Sequence, residues 1–175
     1  MNHEKYAEVL TNEKKQILVN VAMDYLNQER DLRGFVAGKG WAHAVAHGAD
    51  FLSSVVEQSI ENEKSTLTEV LEVIKSVILR TESVFVSEES DRLANVILAV
   101  MKYHRSQNEL VTYFIDKMND EFEPFDEFFD SAPAANWISL LKSAYFKLKF
   151  EIDDNAASDV IYRYLEEHYR EYGSL

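Results

Sequence analysis

Apolar residues recur at spacings of three and four along most of the chain, whereas the strict alternation of a half-buried strand is absent. Glycine and proline, the residues that most often interrupt helices, number five and two among 175 residues. The pattern therefore predicts an all-α protein of about seven helices. Their expected ranges are 12–29, 41–59, 66–80, 87–105, 108–120, 136–150 and 155–172.

Helices of this length, joined by short polar connections, are typical of stacked antiparallel helical hairpins. We therefore expect a HEAT-like superhelix that forms a single domain over residues 1–175. The chain contains no clean sequence repeat, so this expectation rests on the helix pattern, and a compact orthogonal bundle is the alternative.

Two helix starts carry capping signals. Thr66 and Glu69 fit a capping box, in which each side chain satisfies a backbone amide of the first turn. Ser87 is suited to cap the next helix, and Glu88 and Glu89 would then place negative charge where the helix dipole favours it. These signals define the expected starts of the third and fourth helices.

The composition limits the possible function classes. Hydrophobic residues make up 46% of the chain and aromatic residues 12%, which is enough for a substantial core. The net charge of -13 disfavours binding to nucleic acid or to an anionic membrane surface. The absence of cysteine excludes disulfides, thiolate zinc sites and cysteine nucleophiles. The N-terminus is too polar for a signal peptide and no apolar run has the length of a membrane span, so we expect a cytoplasmic protein.

Residues 31–50 carry the most unusual chemistry of the chain. They hold four of its five glycines, two of its five histidines and one of its two tryptophans. On a wheel at about 100° per residue, the helix predicted from Trp41 separates into an apolar side and a polar side. The apolar side comprises Val45, Ala49, Leu52 and Val56, and the polar side comprises His43, His47, Asp50 and Ser54.

Three interpretations of His43, His47 and Asp50 stay open. Histidines four residues apart, with a carboxylate three residues later, could bind a metal ion. The same side chains could form a histidine base that an aspartate orients. A polar stripe is also what an ordinary surface helix shows, and because no third metal-ligand motif accompanies it we expect no metal and no cofactor. Few charges lie along this helix, which favours close approach by a neighbouring helix or a ligand.

A candidate anion pocket precedes that helix. Three glycines and two cations lie close together in the sequence: Gly34, Gly38, Gly40, Arg33 and Lys39. Glycines that lead into a helix start beside cations can bind an anion. The spacing matches neither a P-loop nor a dinucleotide fingerprint, so a glycine-rich corner with positive φ is the simpler interpretation.

Arg92 is the remaining candidate. It could reach the helix of the histidines and join Arg33 and Lys39 around an anion. A local ion pair with Glu88 or Glu89 is the alternative.

The same residues carry a family resemblance. The segments are Asp31-Leu32-Arg33-Gly34-Phe35-Val36, Gly38-Lys39-Gly40-Trp41-Ala42-His43 and Ala46-His47-Gly48-Ala49-Asp50. They resemble the signature of an uncharacterised bacterial family that is known as a domain of unknown function, and segments that begin at Asp91 and Asn136 are similar to it as well. The resemblance implies an all-α, HEAT-like fold and no established activity. Because relatives carry a further helical region before the signature, it also implies a fragment or a shortened member.

A binding module is the function that we expect first, because helical-repeat proteins act through surfaces and no complete catalytic set is visible. Its groove would accept a small anionic or nucleotide-like ligand, or a protein partner. The expected ligand-binding residues are Arg33, Lys39, Trp41, His43, His47, Asp50 and Arg92. A metal-dependent or acid–base hydrolase that uses His43, His47 and Asp50 is one alternative, and a purely structural or interaction role is the other.

Overall fold

The structure is a computed structural model that describes residues 10–58, 64–104, 108–122, 131–152 and 155–172. These ranges contain seven α-helices and one short β-hairpin. The helices are α1 (Asn12–Gln28), α2 (Ala44–Gln58), α3 (Lys64–Leu79), α4 (Glu89–Tyr103), α5 (Asn108–Glu121), α6 (Ala132–Glu151) and α7 (Asn155–Tyr172). The hairpin consists of β1 (Phe35–Val36) and β2 (Gly40–Trp41). The predicted all-α fold of about seven helices is therefore confirmed.

The helices pack in two layers. In one layer α4 lies between α2 and α6, and these two packings are among the most extensive in the described part of the chain. In the other layer α1, α3, α5 and α7 contact one another in succession. Because consecutive helices alternate between layers, this is the arrangement expected of stacked helical hairpins. The closer likeness to HEAT repeats stays a prediction.

One apolar core fills the space between the layers, and each of the seven helices contributes side chains to it. Its largest fully buried side chain is Trp137 on α6. The indole Nε1 of Trp137 donates to Asn119 Oδ1 on α5 at 2.9 Å, so the polar atom of this ring is satisfied inside the core.

The apolar side of α2 is buried as the helical wheel predicts. Val45, Ala49, Leu52 and Val56 are each at most 1% exposed. Besides α4, helix α1 approaches this small-residue helix, and it does so at Gly48. A Cβ at Gly48 would lie 2.5 Å from Leu26 Cδ2 and 2.9 Å from Tyr25 Cδ1. Glycine therefore allows α1 to pack more closely than any other residue would.

Four helix starts differ from the prediction. α2 begins at Ala44 rather than Trp41, because the preceding residues form the hairpin. Thr66 lies inside α3, which begins at Lys64, so the predicted capping box is wrong. Glu88 rather than Ser87 occupies the cap position of α4, and it makes no side-chain capping bond. α6 begins at Ala132 rather than Asn136, because the Ser131 side chain caps it by accepting the Ala134 amide.

Candidate functional site

A tight hairpin builds one edge of the candidate site. Phe35 pairs with Trp41 and Val36 with Gly40 in an antiparallel register. Gly38 and Gly40 adopt φ of 75° and 94°, the left-handed region that glycine enters without steric cost. The glycine-rich corner with positive φ is therefore present, and it turns the chain so sharply that Phe35 and Trp41 lie side by side.

Four rings follow one another from the hairpin onto α2. The ring centroids are 5.0 Å apart for Phe35 and Trp41, 4.3 Å for Trp41 and His43, and 5.9 Å for His43 and His47. Phe35 is 55% exposed and Trp41 63% exposed, although large aromatic side chains usually contribute to cores. We call Phe35, Trp41, His43 and His47 the hairpin surface.

His43 occupies an unusual backbone position immediately before α2. Its φ is 50°, which is uncommon for a residue with a side chain. Its amide donates to Arg33 O at 3.2 Å, and its carbonyl accepts from the His47 amide at 2.9 Å. The hairpin and the first turn of α2 thus hold the main chain of His43 from both sides.

The side chain of His43 turns toward Glu89, at the start of α4. Glu89 is 1% exposed, and its Oε2 accepts the Ser87 amide at 2.8 Å. The other oxygen, Oε1, lies 3.8 Å from His43 Nε2, which is beyond hydrogen-bond distance. Both atoms are shielded from solvent and neither has a hydrogen-bond partner. A histidine–carboxylate pair is therefore present in which Glu89 is buried, His43 is half-buried, and the two facing atoms are unsatisfied.

Gly34 closes this pair on a third side. A Cβ at position 34 would lie 2.3 Å from Glu89 Oε1 and 2.6 Å from Ser87 Oγ. No side chain fits there while Glu89 keeps its place. The absence of a side chain at Gly34 therefore allows the chain before the hairpin to lie close to the start of α4.

Backbone strain is concentrated at this junction. Within the described ranges His43 and Glu88 are the two residues other than glycine with positive φ, at 50° and 66°. Such conformations cost on the order of 1–3 kcal/mol and persist where surrounding contacts enforce them. One precedes α2 and the other precedes α4, so both flank the His43–Glu89 pair.

Asn136 on α6 fixes the loop that leads to Glu89. Its side chain is fully buried, accepts from the Phe85 amide at 2.7 Å and donates to Ser83 O at 3.0 Å. Asn136 therefore supports the site from behind rather than lining it.

Asp50 does not join the histidines but binds Arg92 on α4. Arg92 Nη1 donates to both carboxylate oxygens of Asp50, at 3.0 and 3.2 Å, and Nη2 lies 3.5 Å from Glu88 Oε2. Hydrogen bonding to Asp50 raises the pKa of Arg92. Arg92 thus reaches α2 through Asp50 and also forms the local pair with Glu88, while a shared anion with Arg33 and Lys39 stays a prediction.

The cations of the predicted anion pocket lie beside a carboxylate of the chain. Arg33 donates to both carboxylate oxygens of Asp31 at 2.7 Å. The hydrogen bond from Arg33, with a smaller contribution from the charge of Lys39, lowers the pKa of Asp31 to about 2. An anion between Arg33 and Lys39 would therefore compete with Asp31.

Glu89 is the member of the site that sequence reasoning missed. Glu88 and Glu89 together fit an ordinary acidic helix start, and only the fold brings Glu89 to His43 and Gly34. In the ranges that the structure describes, no group of three or more histidine and carboxylate side chains is placed to hold a metal ion. No helix among these residues combines the length and the apolar character needed to cross a membrane.

Fold and site define an all-α protein of packed helices with a histidine–carboxylate pair beneath an aromatic hairpin. The chain belongs to the family described as protein of unknown function (DUF2785), whose model matches residues 1–146. The match includes the hairpin, α2 and the start of α4, and it confirms the resemblance noted in the sequence. Neither the curated proteins nor the solved structures contain a match to this chain.

Proposed function

We propose that the protein is a binding module and that it binds a protein partner through the hairpin surface. The observation that carries the proposal is the exposed ring pair of Phe35 and Trp41, 55% and 63% exposed, which paired positions of the hairpin place side by side. Two rings that already contact each other lose less conformational entropy on burial in a partner than isolated side chains do.

The side chains around the ring pair suit the rim of an interface. His47 is exposed one turn along α2, and the Asp50–Arg92 ion pair follows with side chains 42% and 40% exposed. Interfaces commonly combine an aromatic centre with a polar rim that contains arginine. The net charge of -13 would steer a basic partner toward the protein, so we expect apolar residues beside lysine or arginine on that partner.

A photo-crosslinking amino acid at position 35 tests this proposal, with the same substitution at Phe150 as a matched control. Phe150 is 81% exposed on α6, far along the chain from the hairpin. We expect the crosslinking residue at position 35 to attach to a basic protein, and the one at position 150 not to do so. After purification, that protein should bind the original chain, and it should bind a Trp41→Ala variant with much lower affinity. Identical capture at both positions would contradict the proposal.

A second candidate function, acid–base catalysis, is favoured by the His43–Glu89 pair. A carboxylate beside a histidine can hold the tautomer and the orientation of the imidazole, and it can stabilise the protonated ring. Glu89 takes the position that sequence reasoning gave to Asp50. The ring of Trp41, tilted against the imidazole at 4.3 Å between centroids, would limit the access of water to His43.

Hydrolysis of ester and phosphoester model substrates distinguishes this candidate from binding. If the pair is catalytic, Glu89→Gln keeps the shape of the side chain and should reduce turnover about 100-fold or more. His47→Asn should leave turnover nearly unchanged, because His47 is exposed and Glu89 faces His43 instead. Equal loss in both variants, or turnover that survives in Glu89→Gln, would exclude the pair as the catalytic centre.

A further inference from the structure

A cavity of about 430 Å³ opens beside the segment that connects α1 to the hairpin. Residues 29–33 line one wall, and residues 80–83, which follow α3, line the other. The cavity therefore lies where the C-terminal ends of α1 and α3 meet. Its volume is within the range of about 300–1,000 Å³ that is typical of small-molecule sites.

Arg80 brings a partly buried guanidinium to this cavity. Nη1 donates to Asn27 O at 2.8 Å, and Nη2 donates to Leu26 O, so Arg80 satisfies carbonyls at the end of α1. Its Nε is shielded from solvent and has no hydrogen-bond partner. One donor of a charged group is thus left unsatisfied, which is costly in a buried position.

Arg30 adds a second positive charge to the same cavity. Burial, followed by the charge of Arg30, lowers the pKa of Arg80, while Glu29 has the opposite effect. Oε1 of Glu29 accepts the amides of Arg30 and Asp31, at 2.7 and 2.8 Å. Among the described residues neither Arg30 nor Arg80 forms an ion pair with a carboxylate. Two guanidiniums therefore line one cavity without a close ion pair of their own, although the carboxylates of Glu29, Asp31 and Glu82 line it too.

We propose that this cavity binds the phosphate group of a small phosphorylated molecule between Arg30 and Arg80. A phosphate presents several acceptor oxygens and a double negative charge, which matches two guanidiniums. It would relieve their mutual repulsion by neutralising both charges. The remaining volume of the cavity leaves room for the carbon skeleton of the ligand.

This site is separate from the hairpin surface and does not depend on the proposed partner. It also differs from the anion pocket expected from the sequence, in which Arg33 and Lys39 were the ligands. Arg33 lines the cavity, but its guanidinium is held by Asp31, and Lys39 lies in the hairpin turn. The two possible sites for an anion therefore depend on different residues.

Calorimetric titration of the full chain with glycerol 3-phosphate, inorganic phosphate and glycerol tests the proposal. We expect the two phosphates to bind and glycerol not to bind. Arg30→Gln should weaken binding about tenfold or more, because a charge-assisted hydrogen bond is lost. Glu82→Gln should strengthen binding by about threefold, because it removes a negative charge from the wall of the cavity. Lys39→Gln and Arg163→Gln, the latter an exposed arginine on α7, should bind as the original chain does.

A second readout avoids substitution of Arg80, whose loss would also remove the contacts that end α1. Phosphate should shift the NMR signal of the Arg80 Nε–H group, and it should not do so in the Arg30→Gln variant. The proposal is wrong if neither phosphate binds, or if Arg30→Gln binds as tightly as the original chain. Loss of binding in Lys39→Gln alone would place the anion at the hairpin turn instead and would also overturn it.

Discussion

At the scale of single residues, Gly34 is where the candidate site is least tolerant of change. A Cβ there would overlap Glu89 Oε1 at 2.3 Å and Ser87 Oγ at 2.6 Å. Because both side chains are buried and Ser87 Cβ also lies within 2.8 Å, little space exists into which they could move. We expect Gly34→Ala to lower the free energy of unfolding by about 1–3 kcal/mol, as measured by urea denaturation.

Gly38→Asn is the matched control for that substitution. A Cβ at position 38 would meet nothing within 4 Å, and asparagine tolerates the φ of 75° better than most residues do. The control should therefore change stability much less than Gly34→Ala. Equal losses in the two variants would show that the hairpin is sensitive to any substitution and that contact with Glu89 is not the cause.

Asp31 offers a prediction about pH. Its pKa is lowered from 3.8 to about 2, first by the hydrogen bond from Arg33. A depressed pKa favours the folded state above pH 3.8, and this contribution is lost as the pH falls from 3.8 toward 2. An NMR titration of the carboxyl carbon should show a midpoint near 2, and Arg33→Gln should move it toward 3.8. A midpoint near 3.8 in the original chain would mean that the pair does not persist in solution.

The sequence revealed which side chains of α2 are polar but not what they contact. His43, His47 and Asp50 follow from helical periodicity, which is a local property. The contacts of His43 with Glu89 and of Asp50 with Arg92 join α2 to α4, and such contacts depend on how helices stack. The polar face of α2 therefore identified the candidate residues. It did not show that His43 would pair with Glu89 and Asp50 with Arg92.

At the scale of elements, the close packing of α1 on α2 depends on Gly48. In an isolated helix, replacement of glycine by alanine gains up to about 1 kcal/mol. Here the new methyl group would lie 2.5 Å from Leu26 Cδ2, and overpacking of this kind costs about 1–3 kcal/mol. We therefore expect Gly48→Ala to destabilise the protein by about 1 kcal/mol in chemical denaturation, against the helix propensity.

A double-mutant cycle with Leu26→Ala checks the cause of this loss. Removal of the Leu26 side chain makes space for the methyl group, so Gly48→Ala should be neutral or stabilising in that background. A stabilising effect of Gly48→Ala alone would show that α1 can shift without cost. A loss of the same size in both backgrounds would exclude Leu26 as the obstacle.

Elements were predictable where their signal is local and repeated. α1, α5 and α7 begin at Asn12, Asn108 and Asn155, as the sequence indicated. The hairpin was missed because strands of two residues are too short to show alternation. It forms because Gly38 and Gly40 permit positive φ and because α4 provides a surface for it to pack against, and only the first of these is visible in the sequence.

At the scale of the whole molecule, the net charge of -13 should oppose folding through repulsion among the acidic groups. Local ion pairs offset this repulsion only slightly. The Asp50–Arg92 pair has side chains 42% and 40% exposed, and pairs of this kind contribute about 0–1 kcal/mol. We infer that long-range repulsion outweighs the local pairs at neutral pH and low ionic strength.

Salt should therefore stabilise the protein. The distance over which charges act falls from about 30 Å at 0.01 M salt to about 8 Å at 0.15 M, which screens distant repulsion more than it screens contacts. We expect the melting temperature at pH 7 to rise over this range of sodium chloride in calorimetry. Near the isoelectric pH, where net repulsion vanishes, the same salt should have little effect or a weakly destabilising one. A melting temperature that falls with salt at pH 7 would mean that ion pairs such as Asp50–Arg92 outweigh the repulsion, and the charge pattern would then have to be understood as a network that holds α2 against α4.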